Sequence, residues 1–383
     1  MDLTSVLDRT RQVARDVLAA DAREVDAECR WPERGLRALQ EAGLGGLIIP
    51  EEMGGHGRGL YALALVCEIL GRECASTSLC YGMHCVGAAT IAAKATSDQR
   101  PYVEAICEGT HLTTLALSEP GSGAHFYYPQ TRLVANGQDG FHVSGTKSFV
   151  TNGGCADSYV VSTVAADPSA PPGQFSCVVI RGGAAGMAWG PQWAGLGMRG
   201  NSSRMVELKD VPVPRSDLLG EEGDQIWYMF HVVTPYFLVA MAATYLGVAS
   251  TALDEARQHL ARRHYSHSGS TLSQISVLQH RLGCLWAEVE RTRRLIYFAA
   301  SEFDTGAPDA LVALCSAKAE VADCVVNVVN QAMSLTGGVS YREGARLDRL
   351  MRDARAAHVM APTTDILRTW AGRALLDHPI LGD

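Results

Sequence analysis

The hydrophobic pattern of this chain changes period twice, and that change limits the folds open to it. From Leu3 to about Gly109 apolar residues recur at helical spacing. Val6, Val13, Val17 and Leu18 mark one helix, and Leu36 and Leu39 precede a stop at Gly43. Helices are expected over Leu60–Gly71, Ser78–Ala95 and Asp98–Cys107, with Asp98 as the N-cap of the last. Between His111 and Val213 the pattern becomes that of strands. Leu112–Leu117, Gly140–Val143, Ser158–Thr163, Phe175–Ile180 and Met205–Leu208 are short runs rich in Val, Thr and aromatics, and Asn136-Gly137 and Asp139-Gly140 are turn signals. From about Gln225 long helical runs return, over Val239–His264, Leu272–Phe303, Ala310–Leu335, Asp348–His358 and Thr363–Leu376, and Gly337-Gly338 ends the third. The reading is an α+β multidomain chain: an N-terminal α-helical domain over 1–110, a compact β domain over 111–215, and an antiparallel helical bundle over 225–383.

Several function classes are disfavoured by the same sequence. Lys+Arg 33 against Asp+Glu 41 gives a net charge of -8, which argues against a general nucleic-acid binder. Only Lys94, Lys147, Lys209 and Lys318 are lysines, a skew that reads as genome bias rather than as a binding signal. The 11 cysteines are odd in number and contain no CxxC pair, so they are expected to be reduced thiols of a cytoplasmic protein. The apolar stretch Val232–Ala249 is interrupted by Thr234, Pro235, Tyr236 and Thr244, and is expected to be a buried helix rather than a membrane span. No GxGxxG follows a strand, and neither GxxxxGK[ST] nor GxSxG occurs. His259, His264 and His267 have no zinc-like spacing and no cysteine nearby, so no metal site is expected.

Two segments carry the chemistry. Ala116–Ala124 leaves a β-like run and enters a glycine-rich loop with hydroxyls at both ends, whose backbone can approach a planar ring or a phosphate closely. Farther on, Gly145–Gly154 contains Phe149 and Thr151, two apart, which on a strand would point to one face and line one pocket.

With four further segments these resemble the acyl-CoA dehydrogenase family of flavoproteins over nearly the whole chain. Ile49–Gly57 is similar to its PEEYGGxG stretch, Ser118–Gly123 to TEPxxG and Gly145–Gly153 to GTKxWITNG. Leu196–Ser203 is similar to LGxRGSxT, Gly337–Tyr341 to GGxGY, and Arg352–Arg355 to RDAR. The resemblance implies a β-barrel-like middle domain, a C-terminal four-helix bundle, and FAD bound between them and reaching a neighbouring subunit of a homodimer or homotetramer. It places Leu117, Ser118 and Gly123 at the flavin ring or pyrophosphate, Phe149 and Thr151 at the isoalloxazine, and Thr363 on the cofactor. Gly337-Gly338 would admit the adenosine half of a neighbour's FAD. Arg262 would pair with a neighbour's pyrophosphate, or else lie on a solvated helix face. The substrate implied is an acyl thioester of CoA or a carrier protein. An electron-transfer flavoprotein or a flavin reductase would be the redox partner.

The sequence departs from the family where the family keeps its base. The usual glutamate position is Ala361, and the alternative position on an earlier helix is Phe237. Asp365, His358 and His125 are the remaining candidates for a base. Their ordinary alternatives are a helix-dipole partner, a capping or surface group, and a backbone-bonded loop histidine. Pro362 is expected at a first helical position, which would put Asp365 on the face of Ala361. Phe149 replaces a tryptophan, Ala124-His125 a Ser-Asp pair, and Ser334 a glutamine. Three readings follow: a dehydrogenase, a flavin monooxygenase that needs no such base, and a silent paralogue that binds without turnover.

Overall fold

The fold is that of a computed structural model, which describes residues 1–137 and 140–381. Asp139 of the expected Asp139-Gly140 turn lies outside the described residues. Helix α1 (Leu3–Val13) starts on Asp2, whose carboxylate accepts the Ser5 N–H, and runs through one π turn into α2 (Ala19–Ala27). Helices α3 (Glu33–Glu41), α4 (Leu60–Glu73), α5 (Ala75–Ala93) and α6 (Arg100–Cys107) complete the first domain. α5 is buried along nearly its whole length and forms the domain's axis. The expected cap at Asp98 is corrected: α6 begins after Gln99. The Gln99 amide is buried, accepts from the Thr96 N–H and hydroxyl, and donates to the Leu218 carbonyl, so it, not Asp98, fixes the helix start.

The first two donors of α4, the N–H groups of Leu60 and Tyr61, bond the two Asp304 carboxylate oxygens at 2.7 and 2.9 Å. Asp304 stands 244 residues away by sequence, at the end of α9. Gly59 makes this possible, because a Cβ there would lie 2.3 Å from that carboxylate.

The middle domain holds β1 (Thr113–Ala116), β2 (Arg132–Asn136), β3 (Gly140–Val150), β4 (Ser158–Ala165), β5 (Phe175–Arg181), β6 (Met187–Trp189), β7 (Arg204–Pro214) and β8 (Leu218–Leu219). They form an open mixed sheet in the order β6-β7-β3-β2-β4-β5-β8, with β1 parallel to β4, so the expected barrel-like domain has two edges. β3 and β7 extend beyond the expected runs, pairing antiparallel through two register shifts.

The last domain follows α7 (Gln225–Tyr228) and a π turn, Met229–Val233. Its helices are α8 (Thr234–Arg262), α9 (Ser276–Asp304), α10 (Ala310–Thr336), α11 (Arg346–Val359) and α12 (Thr364–Leu375). The helical stretch Gln225–Arg262 is long and apolar enough to cross a membrane, but 89% of its most apolar window is buried inside the protein. α9 begins at Ser276 rather than Leu272, because a capping box between Thr271 and Gln274 closes a separate 3-10 turn. Pro362 is corrected from a first helical position: it precedes α12, whose N-cap is Thr363. All eleven cysteines are free.

Candidate active site

A cavity of about 770 Å³ opens where the three domains meet. β1 aims its chain into it. His84 of α5 accepts the Thr113 N–H at Nδ1 (3.2 Å), and this fixes the tautomer, so Nε2 donates to the Gly45 carbonyl (3.1 Å). Burial pushes its pKa down to about 4, keeping the ring neutral.

Past β1, Leu117, Ser118, Glu119 and Pro120 enter the cavity wall. The Ser148 N–H donates to the Ser118 carbonyl, and Lys147 reaches back to Glu119 at 2.6 Å. This ion pair is buried. Glu119 Oε1 also accepts from the Thr131 N–H and hydroxyl, and Oε2 from the Gln130 N–H, while Lys147 donates further to Leu117 and Ser162. Burial works to raise the Glu119 pKa, but the Lys147 charge and the donors around it outweigh that and hold it below the usual value. Among the described residues Glu119 is the only ionisable side chain in the wall, and both of its oxygens are occupied.

Phe149 and Thr151 both line the cavity, though not by simple strand alternation. A register shift lies between Lys147 and Val150, and Phe149 adopts φ 53°, a left-handed conformation that turns its ring outward. The ring is 67% exposed and lies edge-on to Trp193, 6.2 Å away. The Thr151 hydroxyl is 3.3 Å from that of Ser203. Next to it, the buried Asn152 accepts from the Trp31 indole and donates to the Cys80 carbonyl, tying the sheet to the first domain.

The opposite wall belongs to the loop at Leu196–Ser203 and to the bundle. Asp353 of α11 accepts the Met198 N–H at 2.6 Å, and Arg352 makes a forked pair with Asp26 at 2.8 and 2.5 Å. At Gly197 a Cβ would meet the Arg352 carbonyl at 2.1 Å, so only glycine fits. Met360, Ala361, Pro362 and Thr363 form the floor. Lys318, fully buried, holds that segment by donating to the carbonyls of Ala357 (2.9 Å), Met360 (3.2 Å) and Pro362 (2.9 Å). Burial lowers its pKa to about 8.

Of the residues expected at the site, Leu117, Ser118, Gly123, Phe149, Thr151 and Thr363 converge on this cavity, as do Ala361 and Phe237. Arg262 lines a separate hollow with His259 and Arg263, and Gly337 and Gly338 are exposed past the end of α10. The three base candidates stand outside the cavity lining. Asp365 is exposed in the first turn of α12. His358 faces Asp323 at 3.6 Å and the Thr364 hydroxyl. His125 is exposed and bonded to the Tyr127 hydroxyl. Sequence reading overlooked Glu119, Lys147, Lys318, Asp353 and Thr234. The lysines carried a usable signal, since two of only four prove to be buried.

Profiles of the acyl-CoA dehydrogenase N-terminal, middle and C-terminal domains match residues 2–110, 114–211 and 238–376. The chain is 31% identical to cyclohex-1-ene-1-carbonyl-CoA dehydrogenase of Geobacter metallireducens, over 97% of both chains. Its fold matches that of butyryl-CoA dehydrogenase from Megasphaera elsdenii with TM-score 0.91 and 26% identity, covering 98% of each chain. A chain from the structure described as an electron transferring flavoprotein of Acidaminococcus fermentans also matches at TM-score 0.91 and 28% identity, over 98% of this chain and 100% of that one.

Proposed function

This chain belongs to the acyl-CoA dehydrogenase family, and on that premise we propose that it is an FAD-dependent oxidoreductase acting on an acyl thioester held in the cavity. The convergence of Leu117, Ser118, Gly123, Phe149, Thr151 and Thr363 on one cavity carries this reading. The walls fit the cofactor. Phe149 offers an uncovered aromatic ring, Thr151 and Ser203 offer hydroxyls, and Gly123, at φ 53°, leaves open space where a Cβ would stand. FAD, when bound, supplies the hydride acceptor.

The chain's own residues then do three things. Ser118, pinned by Ser148, and Thr151, backed by the Thr114 bond to its carbonyl, hold polar atoms at fixed positions on one wall. Leu79, Met83, Leu115, Phe126 and Phe237 exclude water from the acyl group. Lys318 sets the floor segment that bears Ala361 and Thr363. Among the described residues no lining carboxylate is free to take a proton, because Glu119 is committed to Lys147, Thr131 and Gln130. The proton released on oxidation therefore passes to solvent or comes from a substrate acidic enough to need no carboxylate.

That same lack favours a second reading, an oxygenase that uses reduced flavin and needs no such base. Anaerobic mixing of the FAD-loaded protein with a panel of CoA and carrier-protein thioesters separates the two. Loss of the flavin's visible absorbance with one of them is expected. If none bleaches it while the reduced protein inserts oxygen into an added acyl group, the oxygenase reading replaces the first.

Arg262, Gly337 and Gly338 stand away from the cavity, and Val277, Trp286 and Phe298 are exposed on α9, which supports a homodimer or homotetramer in which they meet a neighbour. A monomeric sedimentation profile of the loaded protein would count against it.

A further inference from the structure

Two side chains of the cavity wall, Thr234 and Trp193, each bury a polar atom that has no hydrogen-bond partner among the described residues. Thr234 is 1% exposed and lines the cavity together with Val233 and Phe237, and its hydroxyl has no hydrogen-bond partner among the described residues. A buried threonine at the start of a helix ordinarily bonds a carbonyl one turn back. Here the turn is a π turn. The Thr234 N–H reaches the Met229 carbonyl, and Pro235 follows with no N–H of its own. Other hydroxyls of α8 are paired: Thr244 bonds the Ala240 carbonyl one turn back at 2.8 Å, and Thr251 the Arg72 carbonyl of α4. The Trp193 indole N–H stands beside Gly195, where a Cβ would lie 2.6 Å from that nitrogen.

Buried polar groups are almost always paired, and an unpaired one in a cavity wall marks where a ligand supplies the partner. We propose that Thr234 is a specificity residue, and that the acyl group carries an oxygen, as hydroxyl or oxo, that hydrogen-bonds to it. Rejection of a plain hydrocarbon chain follows, because such a chain leaves the hydroxyl buried and unmatched. Charged acyl groups fit worse still, since the only ionisable residue in the wall among the described residues is Glu119, already neutralised by Lys147.

The proposal rests on the acyl-thioester reading, yet its test is one of binding, not turnover. Calorimetric titration of the FAD-loaded protein, first reduced with dithionite and kept anaerobic so that no ligand is oxidised, compares 3-hydroxyacyl-CoA and 3-oxoacyl-CoA with saturated acyl-CoA of equal length. The oxygenated ligands are expected to bind about 10- to 100-fold more tightly. Thr234→Val, which keeps the shape, should erase that preference, and Thr234→Ser should retain it. Equal affinities in the wild type, a preference that survives Thr234→Val, or no binding of any thioester overturns the proposal. A Thr234→Val variant that shifts the flavin spectrum with the preference intact would assign the hydroxyl to the cofactor and overturn it as well. Bleaching by saturated thioesters without any preference would leave the oxidoreductase reading standing while removing this one.

Discussion

Glu119 lines the cavity, and replacing it distinguishes a structural carboxylate from a catalytic one. Its Oε1 takes the Thr131 N–H, the Thr131 hydroxyl and the Lys147 ammonium, and its Oε2 takes the Gln130 N–H. Glu119→Gln puts an NH₂ group at one of these two positions. Either way round, that group faces a donor, and Lys147 loses the carboxylate it pairs with while remaining buried. The loss of a charge-assisted bond and the stranding of a buried donor each cost about 1–3 kcal/mol. Their combination falls in the range of about 3–5 kcal/mol measured when one partner of a buried pair is removed. Guanidinium unfolding followed by far-UV circular dichroism should therefore show a clear fall in midpoint. Adding Lys147→Met should recover a large part of it, because the uncompensated ammonium is gone. An unchanged midpoint accompanied by lost turnover would refute the assignment and make Glu119 a candidate base.

The neutral His84 makes stability fall in acid. Its folded pKa, near 4, lies below the ordinary 6.5, so the unfolded chain takes up a proton first as pH drops. Stability should decline between pH 6.5 and 4 by on the order of 3 kcal/mol from this group. In His84→Gln that contribution should vanish, and an identical pH dependence of the two unfolding curves would contradict it. Ala361→Glu should raise the rate of flavin reduction by a saturated acyl-CoA about 100-fold or more, by placing a carboxylate on the cavity floor. No gain in single-turnover rate would mean that Ala361 does not face the reacting carbon.

The three-zone plan was legible because helix and strand periods are local properties of the apolar residues. The limits of β3 were not. Gly145, Thr146, Lys147 and Ser148 look like loop residues, but their strand is held by pairing with β7 and by Lys147 turned inward onto Glu119. Strand alternation alone puts Phe149 and Thr151 on one pocket, and they reach it through a bulge and a left-handed φ instead. Lys318 could not have been placed, since its acceptors are carbonyls 39 to 44 residues away, brought to it only by the packing of α10 against the α11–α12 loop. The base candidates failed to reach the cavity for a similar reason. Helix period placed Asp365 on a face, but the start of α12 at Thr364 turned that face to solvent.

Asp304 closing the first turn of α4 also bears on how such chains can diverge. A crossover between two relatives at the natural-looking seam near residue 110 or 215 would pair an α4 from one parent with an α9 from the other. The chimaera would keep the cap only if both parents carried the small residue at 59 and the carboxylate at 304. The seams visible in the sequence are thus boundaries of pattern and not of inheritance: the first and last domains must be exchanged together, and the sheet between them must keep its own matches at Asn152 and Met198.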